Sequence, residues 1–307
     1  MFNGTLTDLP GLLVGQTQNE TARTGCTAVL CPEGMACAVD VRGAAPGTRE
    51  TDLLQPGCLV ERIHGIMLCG GSAYGLDACS GAMRFLEERG VGLDVTVARV
   101  PIVCGAVIFD LGVGDPAVRP DAVMGYAACV AASGAPVVQG PVGAGCGATV
   151  GKLLGQDHAC PGGIGSATVA VGEALVSALV CVNALGDVTD PAGNILAGAR
   201  DPATGAFANG WQRMLQQPHA PGFGNTTIGV VATDAPLDKA QLRRLAGAAH
   251  NGLALTIRPV HTQNDGDTLF AASTGKGVAT DLTALCVAAT EAMARAVQNA
   301  VTASNGR

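Results

Sequence analysis

The junction between Asn225 and Thr226 has the residue types of a nucleophile that is released by cleavage of its own chain. A Pro/Gly-rich stretch ends here, and an apolar, β-branched run over residues 228–232 predicts a buried strand. A hydroxyl at such a junction can attack the preceding carbonyl, and the broken bond would leave Thr226 with a nucleophile beside an amine base. Thr is also a common first residue of a strand, so the local sequence leaves both interpretations open.

Three further polar residues stand out beside apolar or glycine-rich sequence. Asn183 follows an apolar run over residues 176–182, where an amide forms a turn or donates to a developing oxyanion. Asp265 and Asp267 flank Gly266, and a tight turn explains the Asp-Gly pair by itself. Two neighbouring carboxylates can also raise one pKa and so move a proton or orient an amine. The other ligands of a calcium loop are missing at their required spacing, and we expect no metal here.

A glycine-rich segment over residues 140–152 ends at Lys152. It fails as a phosphate loop, because Cys146 replaces the first required glycine and Leu153 replaces the metal-binding hydroxyl. No dinucleotide fingerprint is present either, and we expect no cofactor. The segment favours a surface on which backbone N–H groups approach a ligand, with Gly145 as a candidate substrate contact. Apolar neighbours indicate that Lys152 is partly buried.

A second glycine-containing loop, residues 70–75, precedes a predicted helix. Ser72 is placed to cap that helix, which is the structural interpretation. The functional interpretation is a pocket wall, because helix N-termini present unpaired donors, and it makes Tyr74 a second candidate substrate contact. The two interpretations have similar weight.

Composition excludes several classes of protein. The 307 residues are 48% hydrophobic, 14% charged and 3% aromatic, with 44 glycines, which is typical of a large core of small aliphatic side chains. A net charge of −7 without basic clusters argues against nucleic-acid binding. Apolar runs are too short to span a membrane, and no signal pattern is seen, so we expect a cytoplasmic protein. The 12 cysteines lie mostly in apolar segments without any Cys-x-x-Cys pair, which predicts structural thiols.

The pattern predicts helices alternating with strands. Helical spacing covers residues 77–89, 121–133, 237–251 and 281–303, with Asp238 as a cap and Gly252 as the stop of the third helix. Besides the two buried runs at 176–182 and 228–232, strands are expected at 27–30 and 36–41 as a hairpin, and at 253–260. Residues 198–224 are the candidate linker. The expected class is layered α and β, with helices covering sheet faces.

Together these motifs resemble the self-cleaving N-terminal-nucleophile hydrolases, which include L-aminopeptidase/D-esterases, β-aminopeptidases and nylon-oligomer hydrolases. The resemblance covers nearly the whole chain and is greatest to the 6-aminohexanoate-oligomer endohydrolase branch. Each motif is weak alone, and their shared order makes the match specific. The motifs are residues 11–15, 24–27, 70–76, 143–148, 182–187 and 225–237, with the acidic turn at Asp265 and Asp267.

The resemblance implies an α/β (α+β) fold, a four-layer αββα sandwich made as one catalytic domain over residues 1–307. It implies cleavage between Asn225 and Thr226 into an α fragment, 1–225, and a β fragment, 226–307, with the cleaved protomers assembled as a homotetramer. Thr226 matches the nucleophile, Asn183 the oxyanion amide and Lys152 a site lysine of the nylon-oligomer branch. The aminopeptidase branch carries Ser and Glu where this chain carries Asp265 and Asp267, which favours amides of ω-amino acids as substrates.

Three alternatives remain open from the sequence. The chain can be an aminopeptidase/D-esterase on short peptides, or an acyl transferase similar to the ornithine acetyltransferases, which also self-cleave before Thr. A non-catalytic binding protein that uses the glycine-rich surface is the third. It predicts neither cleavage nor an acyl-enzyme on Thr226.

Overall fold

The computed structural model describes residues 1–216 and 224–306. Nine strands form two main sheets that share one long strand. Their bounds are β1 Leu13–Asn19, β2 Thr24–Val41, β3 Thr48–Arg49, β4 Ile63–Cys69, β5 Val103–Val107, β6 Gly163–Val171, β7 Ala174–Asn183, β8 Thr226–Thr233 and β9 Thr268–Ser273. The helices are α1 Ala78–Glu87, α2 Ala122–Val130, α3 Gly210–Gln216, α4 Lys239–Thr256 and α5 Leu282–Asn305.

Strand β2 belongs to both sheets. Its first half pairs with β1 and β4, and β4 continues to β5 and β3. Its second half pairs with β9, followed by β8, β7 and β6. The strands β7 and β8 are almost wholly buried, as their continuous apolar sequences predict.

Three apolar cores separate four layers. One core fills the space between the two sheets and includes Ile66, Leu68, Ile228 and Phe270. A second core joins the outer face of the β6–β9 sheet to α4 and α5, and a third joins the outer face of the other sheet to α1 and α2. The order of layers is therefore helix, sheet, sheet, helix, which confirms the expected αββα sandwich.

Four predicted helices are present, and α4 begins as predicted, since the Asp238 carboxylate accepts the Gln241 N–H at 2.8 Å. The prediction that this helix stops at Gly252 is wrong, because α4 continues to Thr256. Gly252 lies inside α4, where an added Cβ would come within 2.5 Å of the Thr290 carbonyl oxygen of α5. The glycine serves close helix packing, and the predicted strand at 253–260 shrinks to Ile257–Arg258.

The hairpin predicted over residues 27–41 is also wrong. Both halves belong to the single strand β2, and residues 31–34 form an irregularity where its pairing shifts. Proline and glycine in a strand favour a bulge as well as a turn, and here they let one strand pass from one sheet to the other.

The candidate linker, residues 198–224, contains more structure than predicted. Helix α3 lies within it, and Arg200 pairs with Phe207 in an isolated bridge. Residues 217–223 of that interval lie outside the described residues.

All 12 cysteines are free thiols, and 10 of them are buried, in agreement with the structural role predicted for them. Burial raises the pKa of the Cys79 thiol to about 12, so it stays protonated as a small apolar group. Among the helices described, none combines the length and apolar character needed to cross a membrane.

Candidate functional site

Strand register brings the predicted polar residues together. Thr226 begins β8 and lies directly opposite Asn183, the last residue of β7. Parallel pairing places Ile228 beside Thr268, so the turn that precedes β9 runs alongside the start of β8, and Asn225 bridges to Asp265. Cross-strand neighbours share one face of a sheet, so two distant segments converge on Thr226.

The Thr226 hydroxyl lies against the peptide bond that precedes it in the uncleaved chain. Its Oγ1 donates to the Asn225 carbonyl oxygen. The Gly266 N–H donates to the same Oγ1 at 3.2 Å. Thr226 is only 5% exposed. The Thr226 hydroxyl is therefore held near a carbonyl group. The Gly266 N–H is placed to stabilise negative charge that develops on the hydroxyl oxygen.

Two donors converge on the carbonyl oxygen of Gly224, one residue before that bond. Lys152 Nζ donates to it at 2.6 Å and Asn183 Nδ2 donates to it at 3.3 Å. Lys152 also donates to Asn183 Oδ1 at 2.6 Å, and the Thr149 N–H donates to the same Oδ1 at 3.0 Å. Because two donors contact Oδ1, the nitrogen Nδ2 is the donor of the Asn183 amide, and it points to the Gly224 carbonyl oxygen.

Burial moves two pKa values towards neutrality. It lowers the pKa of Lys152 to about 7, against the attraction of Asp265. It raises the pKa of Asp265 to about 6, with a further contribution from the charge of Asp267. Groups with pKa values near 6 and 7 exchange protons readily at neutral pH, which is the property that acid–base chemistry requires.

The two carboxylates have different surroundings. Asp267 Oδ1 accepts the Thr227 N–H at 2.6 Å, and its Oδ2 accepts both the backbone N–H and ring Nδ1 of His261 at 3.1 and 2.7 Å. Asp265 Oδ2 accepts the Thr262 N–H at 2.6 Å, while its buried Oδ1 has no partner among the described residues. Asp267 is thus anchored, and Asp265 retains an oxygen that can accept another proton donor.

Two cavities flank the Gly224–Asn225 segment. The first, of about 300 Å³, is lined by Thr226 and by mostly small or apolar residues that include Ser72 and Ala73. The second, of about 240 Å³, is lined by Lys152 and Gln156 among mostly small or apolar residues. Phe109 borders both. The described lining of the first cavity contains no charged side chain, and that of the second contains Lys152 as its only one, so neither includes Asp or Glu.

The predicted residues Thr226, Asn183, Lys152, Asp265 and Asp267 therefore meet in one site, in which Lys152 is half-buried and the other four are buried. The two candidate substrate contacts do not line either cavity. Tyr74 is 61% exposed, with the Arg119 guanidinium over its ring at 4.1 Å. Gly145 is buried, and an added Cβ would lie 2.5 Å from the Ile164 backbone nitrogen, so close packing of the chain requires this glycine.

Two further residues, Phe109 and His261, contact the side chains of this site and were not predicted from the sequence. Phe109 follows soon after the buried strand β5, as Asn183 ends β7, and its carbonyl oxygen accepts a hydrogen bond from Asn183 Nδ2 at 3.0 Å. That position at the end of an apolar run was a usable signal. His261 had no such signal, because only the fold brings its ring to Asp267.

The chain is similar to a peptidase family and to proteins that are named as an aminopeptidase and an oligomer endohydrolase. The model of Peptidase family S58 matches residues 4–306. An uncharacterized aminopeptidase of Mycobacterium bovis is 47% identical over 294 residues, which cover 88% of this chain and 81% of the relative. A 6-aminohexanoate-oligomer endohydrolase of Kocuria sp. is 35% identical over 278 residues, which cover 87% of this chain and 74% of the relative.

Solved structures share the fold. The L-aminopeptidase D-Ala-esterase/amidase of Ochrobactrum anthropi, described as a variant of the Ntn hydrolase fold, gives a TM-score of 0.75 at 22% identity and covers 99% of this chain and 89% of its own. A β-aminopeptidase of Burkholderia sp. gives a TM-score of 0.74 at 22% identity, with coverage of 99% and 87%.

Proposed function

The chain belongs to peptidase family S58 and is a hydrolase of amide or peptide bonds, and we propose that it activates itself by cleaving its Asn225–Thr226 bond. Thr226 then hydrolyses linear amides of ω-amino acids or short peptides as an N-terminal nucleophile. The observation that carries this proposal is the contact of Thr226 Oγ1 with the Asn225 carbonyl, beside Lys152, Asn183 and Asp265.

Self-cleavage begins when Thr226 Oγ1 attacks the Asn225 carbonyl carbon. The Gly266 N–H stabilises the attacking oxygen, and the C–N bond breaks as the hydroxyl proton passes to the Thr226 nitrogen. The product is an ester between the Asn225 acyl group and Thr226 Oγ1. Water hydrolyses that ester, which leaves a carboxylate on Asn225 and a free amine and hydroxyl on Thr226.

Turnover reuses the same groups. The freed α-amine has an ordinary pKa near 8 and acts as general base for the Thr226 hydroxyl. Asp265 Oδ1 has no partner among the described residues and is available to orient that amine. Once the Asn225 end withdraws, Asn183 Nδ2 and Lys152 Nζ no longer need to bind Gly224, and they donate instead to the oxyanion of the substrate.

The cavity linings support ω-amino-acid amides over α-aminoacyl peptides. A peptide with a free α-ammonium presents a cation close to its scissile bond, and burying that charge without a carboxylate partner is costly. Neither cavity offers one from the described residues. An ω-aminoacyl group separates its ammonium from the carbonyl by an apolar chain. The name of the Kocuria relative, an oligomer endohydrolase, agrees with this assignment.

Rates on two matched substrates test the assignment. We expect kcat/KM for a linear 6-aminohexanoate oligomer to exceed that for an L-dipeptide of similar length by at least about tenfold, which corresponds to about 1.4 kcal/mol. The aminopeptidase is the second candidate, because the Mycobacterium bovis relative carries that name. A dipeptide hydrolysed faster than the oligomer would favour it.

Lys152→Met tests the role of the site cation. Methionine has similar length but cannot donate to Gly224 or Asn183, so we expect self-cleavage and turnover to slow by about 10²-fold. Lys276→Met is the matched control, since Lys276 pairs with Glu33 and lines neither cavity. Cleavage is followed on a denaturing gel. Equal rates in both variants would exclude Lys152 from the chemistry.

Asp265→Asn tests the cost of the buried charge. The folded pKa of Asp265 is raised to about 6 from 3.8, so the carboxyl ionises at lower pH in the unfolded chain than in the folded one. The fold therefore loses stability as pH rises from about 3.8 to about 6, and the loss is complete above pH 6. We expect the free energy of unfolding of Asp265→Asn to match that of the unsubstituted chain near pH 4 and to exceed it by about 3 kcal/mol at pH 8. Denaturant unfolding at both pH values measures the difference, and both chains should carry Thr226→Ala so that uncleaved proteins are compared. A variant that is less stable at pH 8 would contradict this prediction.

A further inference from the structure

We propose that His261 is a positioning residue for the chemistry at Thr226 and acts by clamping Asp267 against the start of strand β8. The proposal rests on the proposed function, since it assigns His261 to the site built around Thr226. Unlike Thr226 and Asn225, His261 lines neither cavity, so a role in binding substrate directly has no support.

Asp267 links two parts of the chain through its two oxygens. Oδ1 accepts the Thr227 N–H at 2.6 Å, which ties the carboxylate to the residue next to Thr226. Oδ2 accepts two donors from His261, its backbone N–H and its ring Nδ1. A carboxyl group that is 2% exposed is costly to bury unless donors of this kind surround it. His261 supplies two of the three.

A second histidine, His250, packs against the ring of His261. The two rings pack edge-on, with ring centroids 4.8 Å apart and an interplanar angle of 69°. His250 is fully buried, and its Nε2 lies 2.9 Å from the Asp40 carbonyl oxygen, which can only accept. Burial lowers the pKa of His250 to about 4, so it is neutral and adds no competing charge. His261 therefore has little freedom to leave Asp267.

The backbone of His261 is adapted to the same contact. Its φ of 55° lies in the left-handed region, which is uncommon for residues other than Gly and is adopted mostly by Asn, Asp and His among them. Both donors of His261 converge on one oxygen of Asp267. The arrangement fixes the carboxylate, and through the Thr227 N–H it fixes the backbone that presents Thr226. A loss of this support would misplace the Thr226 hydroxyl and leave the other residues that line the cavities in place.

The pair His261→Asn and His261→Asp tests the clamp. Both residues tolerate the left-handed backbone and have the same shape, but only Asn places an N–H donor where Nδ1 lies. We expect His261→Asn to keep kcat within about threefold, and His261→Asp to lower kcat by at least about tenfold with KM within about twofold. The rate of self-cleavage should follow kcat. His261→Gly, which also fits the backbone and lacks the donor, replaces the Asp variant if that variant does not fold.

The outcomes separate this inference from the proposed function. Wild-type kcat in the Asp or Gly variant would overturn the clamp, as would an equal loss of kcat in His261→Asn. Thr226→Ala is measured in parallel. If it retains activity, the proposed function fails, whereas an inactive Thr226→Ala beside a fully active His261→Asp removes only the role of His261.

Discussion

Thr226→Ala is expected to yield a single uncut chain of 30.5 kDa without measurable amide hydrolysis. Alanine lacks the hydroxyl that contacts the Asn225 carbonyl, so neither the ester of self-cleavage nor an acyl-enzyme can form. We expect a loss in kcat of at least about 10⁴-fold. Thr226→Ser keeps the hydroxyl and is expected to cleave and turn over. Denaturing gels and amide hydrolysis assays measure both.

Thr227→Val provides the matched control. It removes a hydroxyl from the next residue, and the Thr227 Oγ1 has no hydrogen-bond partner among the described residues. Its backbone N–H, which Asp267 requires, is retained. Cleavage and activity should persist, since an unsatisfied buried hydroxyl contributes little to stability. An active Thr226→Ala, or an uncut Thr227→Val, would contradict the assignment of the nucleophile.

Asn183→Asp is expected to have the second largest effect. Aspartate keeps the shape of the side chain and an oxygen for the Thr149 N–H and for Lys152, but it cannot donate from the Nδ2 position. Removing one oxyanion donor costs about 10²–10³ in kcat, or about 3–4 kcal/mol in the barrier. The loss should appear mainly in kcat, because the interaction strengthens in the transition state.

Asn299→Asp controls for the change of a buried amide to a carboxylate. Asn299 is 1% exposed and donates to the carbonyl oxygens of Phe2 and Ser166, away from both cavities. We expect a lower free energy of unfolding with kcat of the folded protein unchanged. Steady-state rates and denaturant unfolding are measured on both variants. If Asn183→Asp loses only stability, like the control, Asn183 is not the oxyanion donor.

Sequence predicted the parts of the fold in which local pattern and burial agree. Strands β7 and β8 are continuous apolar runs, and α4 has its Asp238 cap, so each was found from its own residues. The failures came where tertiary packing decides. Gly252 looks like a helix stop, but it allows α4 and α5 to approach. The Pro-Glu-Gly segment at 32–34 looks like a turn, but it interrupts one strand.

The residues of the candidate site also differ in how well the sequence predicted them. Thr226 and Asn183 stand out because each borders an apolar run, whereas Lys152 ends a glycine-rich segment and Asp265 and Asp267 flank a glycine. The order of the motifs connected them. The residues that line the cavity were harder to predict. Tyr74 belongs to the loop that borders the first cavity, but Ser72 and Ala73 are the residues of that loop that line it. His261 lies only six residues from Asp267, yet nothing local in the sequence indicates that their side chains meet.

The intact mass of the purified, unsubstituted protein is the most direct test of self-cleavage between Asn225 and Thr226. We predict two chains, residues 1–225 and 226–307, and an N-terminal sequence of Thr-Thr-Ile-Gly for the smaller one. The fragments should form at the same rate at all protein concentrations, because cleavage is intramolecular. A single chain of 30.5 kDa that still hydrolyses amides would contradict the proposed mechanism.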